Sequence, residues 1–212
     1  MRDAQPVTED VIARAALGVL ADDGPGALSF RRVAADIGTS HMTVHRLCGS
    51  FEGLLDLCAE QLAGQMTEVE SGRPWATSTE QRFTALYELM AANSALVALQ
   101  RGRPWLGPEM MRRFAEPAVA ESLAAGLTLR ETVRVHRCLY MFTVGCALTH
   151  TTYDTSRGED VLGGLDPQQT PVLARERRPL LQDLPTLAVF HDGLRTLIAA
   201  ADPQPRGTSQ VI

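Results

Sequence analysis

Leu28-Ser29-Phe30-Arg31-Arg32-Val33-Ala34-Ala35-Asp36-Ile37-Gly38-Thr39-Ser40-His41-Met42-Thr43-Val44-His45-Arg46-Leu47 is the stretch that decides the fold. Ser29 and Ser40 each carry a side-chain oxygen suited to accept from the first free N–H groups of a helix, so each opens one. Val33, Ala34 and Ile37 recur at helical spacing until Gly38, which offers a left-handed cap. Val44 and Leu47 give the next helix its inward side. Two short helices joined by Ile37 to Ser40, with glycine in the turn and small Ala34 at the crossing, have the spacing of a DNA-binding helix-turn-helix. His41, Met42, Thr43, His45 and Arg46 are left outside, where a major groove would meet them. A hairpin inside a plain helical bundle places glycine in the same way, so spacing alone leaves a purely structural reading open.

Outward from this motif, apolar residues keep the helical period almost throughout the 212 residues, and alternating β-branched runs are missing. The chain is expected to be all-α. Thr8 caps a first helix that carries Glu9 and Asp10 in its positive first turn and ends at Asp23-Gly24-Pro25-Gly26. After Gly49-Ser50 a connecting helix runs from Phe51 to about Glu70. Beyond Ser71-Gly72-Arg73-Pro74, helices are expected over 79–92, 94–99, 108–125, 129–153 and 185–201, lengths that suit an antiparallel bundle. Residues 155–184 read as a long polar connection with a short helix near 171–182. The expected domains are 8–66, a helix-turn-helix unit with its connecting helix, and 74–201, a ligand-binding and dimerisation bundle. A flexible tail, 202–212, follows.

Charge narrows the partners. Twenty arginines and no lysine stand against 25 acids, a net −5, which excludes a histone-like coat. Residues 1–66 hold five Arg against nine acids, yet within 29–51 Arg31, Arg32 and Arg46 outweigh Asp36. The positive charge therefore sits where a phosphate backbone would need it. Cys48, Cys58, Cys138 and Cys146 show no metal or disulfide spacing and read as small apolar residues in a reducing cytoplasm. The start, Met1 to Pro6, lacks a secretory core. The 16 residues from Cys138 to Tyr153 are too few and too polar to span a bilayer. The histidines His41, His45, His136, His150 and His191 fall in no HExxH, nucleophile-elbow or phosphate-loop context, so no enzyme, metal or cofactor is expected.

The quoted run, followed by Leu54-Leu55-Asp56, resembles the amino-terminal domain of the tetracycline-repressor family of bacterial transcriptional regulators. Phe114 through Gly145, containing Ala125-Gly126-Leu127, together with Phe142-Thr143-Val144-Gly145-Cys146-Ala147-Leu148 and Arg103-Pro104, resembles the regulatory domain of the tetracycline repressors themselves. The resemblance covers most of residues 8 to 201. It implies a homodimeric repressor that binds double-stranded operator DNA and is released by a small organic effector. In that pattern Ser29 and His45 are phosphate partners, Arg31 faces the groove, and His41, Met42, Thr43 and Arg46 read bases. Arg32, Thr39, Ser40 and Phe51 complete the DNA-facing set. Two departures stand out: the family usually has Tyr at position 45 and Lys at position 51. The second removes one phosphate contact and leaves the backbone N–H groups of that helix start to act instead.

On the helix over 129–153, Val133, His136, Arg137, Tyr140, Thr143 and Val144 share one face, and Val135, Leu139, Phe142 and Cys146 share another. The first face, with Phe83, Leu86, Tyr87, Met90, Trp105, Met111 and Phe114, reads as a chamber wall, or else as satisfied core. The second face, joined by Leu187, Phe190, Leu194, Leu197 and Ile198, reads as a four-helix dimer interface. Where the tetracycline repressors place the histidine and acid that handle magnesium, approximate alignment puts Leu99 and Thr149, and Thr67 replaces another drug-contacting histidine. An organic effector other than tetracycline, held without metal, is expected. A helical dimer that senses a small molecule and has lost operator binding is the alternative.

Overall fold

The computed structural model describes residues 6–70, 72–101, 103–149, 163–182 and 187–201. Those residues are all-helical, as expected. Expectations for the amino-terminal start, for His150, for residues 155–162 and 183–184 of the connection and for the 202–212 tail lie outside them.

Helix α1 (Glu9–Asp22) starts where Thr8 Oγ1 accepts from Val11 N at 3.4 Å, and buries Ile12, Ala13, Ala16, Val19 and Leu20. A short turn, Pro25–Ala27, leads to α2 (Phe30–Asp36), α3 (His41–Cys48) and α4 (Phe51–Ala63). Gly38 between α2 and α3 takes φ 67°, a left-handed conformation that favours glycine. Helix α4 ends at Gly64, about two turns short of the expected Glu70. A side chain at Gly53 would collide with the Cys48 carbonyl, so this glycine lets the end of α3 lie against α4.

The second half begins with α5 (Trp75–Ala92), one turn earlier than periodicity suggests because Pro74 initiates it, and continues with α6 (Ser94–Leu99). Then α7 (Pro108–Met110) passes through a π-helical turn, Met111–Ala115, into α8 (Glu116–Ala124). Pro117 has no N–H to give the preceding turn, which accounts for the widened ring there. Helix α9 (Leu129–Thr149) lies along α5, α10 (Pro171–Gln182) follows, and α11 (Leu187–Ala201) packs on both α5 and α9. No helix among the described residues is long and apolar enough to cross a membrane.

One core joins both halves. Its aromatic centre stacks Tyr87 on Phe190 at 4.0 Å and Phe190 on Phe142 at 5.8 Å. This corrects the expected dimer face. Val135, Leu139, Phe190, Leu194 and Ile198 are buried within the single chain, and Phe142 lies against Gly193, where an added side chain would collide with its ring. Those positions are closed by α5, α9 and α11 of the same protomer. Of the expected interface, Leu187 is exposed, and Leu197 and Cys146 are half-buried. Leu194→Ala should therefore cost about 2 to 5 kcal/mol of folding stability, because it opens an internal cavity. Urea unfolding should return the same loss at every protein concentration; a loss that vanishes on dilution would restore Leu194 to an interface.

Candidate nucleic-acid interface and effector site

The helix-turn-helix is held by its own caps. Ser29 Oγ accepts from Arg32 N at 3.2 Å, and Ser40 Oγ accepts from Thr43 N at 3.1 Å while pairing with the Thr43 hydroxyl at 3.0 Å. Val44 is fully buried and anchors α3; His41, Met42, His45 and Arg46 stand exposed on its outer side, with Thr39 and Thr43 half-buried. Arg31 is exposed and, like Arg46, has no ion pair among the described residues. Arg32 differs: it pairs with Asp23 at 3.0 Å and with Asp36 at 3.1 Å. Two carboxylates thus occupy a guanidinium expected on the DNA side, and the unneutralised positive charge on α2 and α3 reduces to Arg31 and Arg46.

The departures at positions 45 and 51 meet in space. Phe30 packs edge-on against His45 at 5.3 Å and against Phe51 at 6.5 Å, joining the starts of α2 and α4 to α3. Phe51 is thus half-buried structural filling where the family pattern has an ammonium. Ser50 caps α4 by accepting from Gly53 N at 3.0 Å.

In the second half, Phe83, Leu86, Tyr87, Met90, Trp105 and Phe114 are buried together, with Phe83 edge-on to Phe114 at 5.1 Å and to His136 at 6.0 Å. The expected chamber walls are in mutual contact. Met111 lies more exposed, and Val133 and Arg137 point to solvent, because α9 is rotated from the expected phase and presents Thr132, Val135, Leu139 and Thr143 inward. Thr143 donates to Leu139 O at 2.8 Å and is satisfied by its own helix. Half-buried Tyr140 accepts from Trp105 N at 3.2 Å, and Val144 is half-buried beside it.

A polar cluster that the sequence reading missed crosses α5, α8 and α9. Ser122 donates to Ala118 O at 2.8 Å and accepts from Trp75 Nε1 at 2.9 Å, so at 3.1 Å it also accepts from His136 Nε2. Beside it, Arg82 is 3% exposed and donates through Nη2 to Glu121 Oε1 at 2.6 Å. Burial pushes the His136 pKa down, nearby Arg82 adds to this, and Glu121 opposes it. The signal was present: Arg82 falls on the buried stripe of α5 between Ser78 and Leu86.

The segment after α6 is latched to α4. Trp105 Nε1 donates to Gln100 Oε1, and Gln100 Nε2 donates to Leu55 O at 3.5 Å. Arg103 pairs with Asp56 at 2.8 Å, and Glu60 accepts from Glu109 N at 2.5 Å. A cleft of about 290 Å³ lined by Asp56, Glu60, Arg103, Trp105 and Met110 separates the two. No group of three or more acid, histidine or cysteine side chains arranged for a metal ion occurs among the described residues.

Comparison with known proteins places this architecture. The family described as "Tetracyclin repressor-like, C-terminal domain" matches residues 70–199. The chain is 26% identical over 187 residues to the HTH-type transcriptional repressor DrrR1 of Streptomyces coeruleorubidus, covering 84% of this chain and 68% of that protein. It is similar to the crystal structure of apo ActR from Streptomyces coelicolor, with TM-score 0.81, 27% identity and coverage of 93% and 95% of the two chains. The ActR complex with actinorhodin gives TM-score 0.79 at 25% identity, covering 93% and 97%.

His136 supplies a pH test. Its folded-state pKa lies below the unfolded value, so the unfolded chain takes up the proton first as pH falls. Stability contributed by neutral His136 is complete above about pH 6.5 and declines below it. Thermal melts between pH 7.5 and 5 should show a smaller decline in His136→Gln than in the unaltered chain; equal declines would dismiss the buried neutral imidazole.

Proposed function

The chain belongs to the tetracyclin repressor-like family of transcriptional regulators, and on that premise we propose that it is a cytoplasmic homodimeric repressor released from an inverted-repeat operator by a small organic effector. Residues 8–66 act as the DNA-reading unit, and 74–201 as the effector and dimerisation unit. The observation that carries this reading is the free outer side of α3 on a head whose helix α4 is tied to the effector half through Gln100, Arg103 and Glu109. DrrR1 is named a repressor, and ActR is seen with actinorhodin bound, which supports extending both properties to this chain.

His41, Met42, Thr43 and Arg46 read base edges, Arg31 faces the groove from α2, and Ser29 and His45 hold the backbone. Arg32 serves the head rather than the DNA, held as it is by Asp23 and Asp36. Ser40 and Thr39 set the angle of α3, and Phe51 supports it from below. The partner protomer meets the outward stripe of α9, Leu129, Val133, Arg137 and Met141, and the exposed Leu187 and Val189 of α11. A two-fold axis makes that patch self-complementary.

Release follows from the latch. An effector among Phe83, Phe114, His136 and Tyr140 disturbs the Tyr140–Trp105 hydrogen bond, and with it the Trp105–Gln100–Leu55 connection to α4. Half-sites lie at multiples of about 34 to 36 Å, so a small swing of α4 misplaces both α3 helices together. By linkage, operator DNA weakens effector binding by the same factor.

Three measurements test this reading. Arg46→Ala should cost about 1 to 3 kcal/mol of operator binding and relax specificity at particular bases, whereas Arg32→Ala should leave the salt slope of binding unchanged. Failure of the unaltered chain to shift the DNA flanking its own gene would favour the sensor that has lost operator binding. Sedimentation should give twice the 23.0 kDa chain mass, and Met141→Glu should return the monomer; a stable unaltered monomer at micromolar concentration rejects the dimer. Tyr140→Phe, which removes the hydrogen bond to Trp105 N, should weaken effector-free operator affinity in the direction the effector does; an unchanged affinity would take this bond out of the release path.

A further inference from the structure

The Arg82–Glu121 pair is incomplete in a specific way. A guanidinium and a carboxylate usually meet through two parallel hydrogen bonds. Here only Nη2 to Oε1 is made, while Arg82 Nε and Glu121 Oε2 are both buried with no hydrogen-bond partner. Arg82 Nη1 reaches the Arg113 carbonyl at 3.5 Å. Nε is one carbon away from Nη2, and Oε2 one carbon away from Oε1, so the orphan donor and the orphan acceptor adjoin the same ion pair. A third orphan, Thr132 Oγ1, is fully buried one turn before His136 on α9. Leaving such groups unpaired costs about 1 to 3 kcal/mol each, more for charged ones. A site that keeps them is shaped for something that satisfies them.

Resting on the effector reading above, we propose that Arg82 and Glu121 recognise an uncharged hydroxyl group on an aromatic effector. One hydroxyl does both tasks, its oxygen accepting from Arg82 Nε and its proton donated to Glu121 Oε2. An anion would face the Glu121 carboxylate and a cation the Arg82 guanidinium, so the neutral alcohol or phenol is favoured over either. Aromatic character follows from the neighbours: Phe83 adjoins Arg82 in the chain and is edge-on to both Phe114 and the His136 ring. The side nearest solvent is that of α8, where the Glu121 side chain keeps 22% exposure while its Oε2 is buried.

Titration calorimetry on the DNA-free full chain with 2-naphthol, 2-methoxynaphthalene and 2-naphthoate tests the assignment without reference to operator binding. The unaltered chain should bind naphthol at least about tenfold more tightly than the ether, which cannot donate, and than the carboxylate, since hydrogen bonds to charged groups are worth that much. In Glu121→Gln the amide can turn an N–H toward the ligand, so the ether should come within about twofold of naphthol. Arg82→Met should weaken naphthol to the level of the ether; should this variant fail to fold, Glu121→Gln, close in shape to the original residue, decides alone. Equal binding of all three probes, preference for naphthoate, no naphthol binding, or an unchanged ratio in Glu121→Gln would each overturn the proposal. Such a result, with operator release by some other organic molecule still observed, leaves the general effector reading standing.

Discussion

Helix α4 turns Leu54, Leu55, Cys58, Ala59, Leu62 and Ala63 away from water, and no single neighbour covers them all. It packs on α1 within the reading head and on α6 and α7 of the bundle. Burying six such residues contributes of the order of 10 kcal/mol before chain entropy is counted. The head therefore has no separate core of its own. A helix shared between two units must move with either, and the position of α3 is consequently a property of the whole chain.

The polar contacts across that shared boundary are individually small. A neutral hydrogen bond such as Gln100 to Leu55 O contributes about 0.5 to 1.5 kcal/mol net, and the exposed Arg103–Asp56 pair less than about 1. Weak ties of this kind over a strong apolar seam suit a two-state device. In the release mechanism proposed above, the apolar surface would hold the halves together in either arrangement while the hydrogen bonds choose between them. A ligand that disturbs one tie can then shift the balance by the 1 to 3 kcal/mol, roughly, that allosteric coupling usually needs.

The reading head was legible in the sequence because its determinants are local. Ser29, Ser40 and Gly38 act within four residues of where they stand, and Val44 has one side to bury. Helices α9 and α11 were legible as helices but not in their phase. Both carry apolar residues around much of their circumference, and periodicity cannot say which of two apolar faces turns inward when Phe142 and Phe190 satisfy one another inside the chain. The ion pairs of Arg32 escaped for a related reason. Asp36 is one helical turn away and visible, but Asp23 comes from the end of α1 and is brought near only by the fold. Arg82 escaped because a charged residue on a buried stripe looks like an error in the pattern until its partner, 39 positions along, is seen.

Pro117 shows how one backbone defect is used by the rest. It cannot donate to the Arg113 carbonyl, the helix widens into a π turn, and that carbonyl accepts from Arg82 of α5 instead. The Arg113 guanidinium meanwhile donates to Met66 O, just past the end of α4, and pairs with Glu109, whose own N–H is held by Glu60 of α4. A single residue thus carries the polar cluster of the bundle on its backbone and the exit of the shared helix on its side chain. With an N–H at position 117, a regular helix would return the Arg113 carbonyl to an intrahelical bond and leave the buried Arg82 guanidinium with Glu121 as its remaining partner among the described residues, a costlier state in a low-dielectric interior. The irregular turn is therefore the arrangement in which burying Arg82 and latching α4 are compatible.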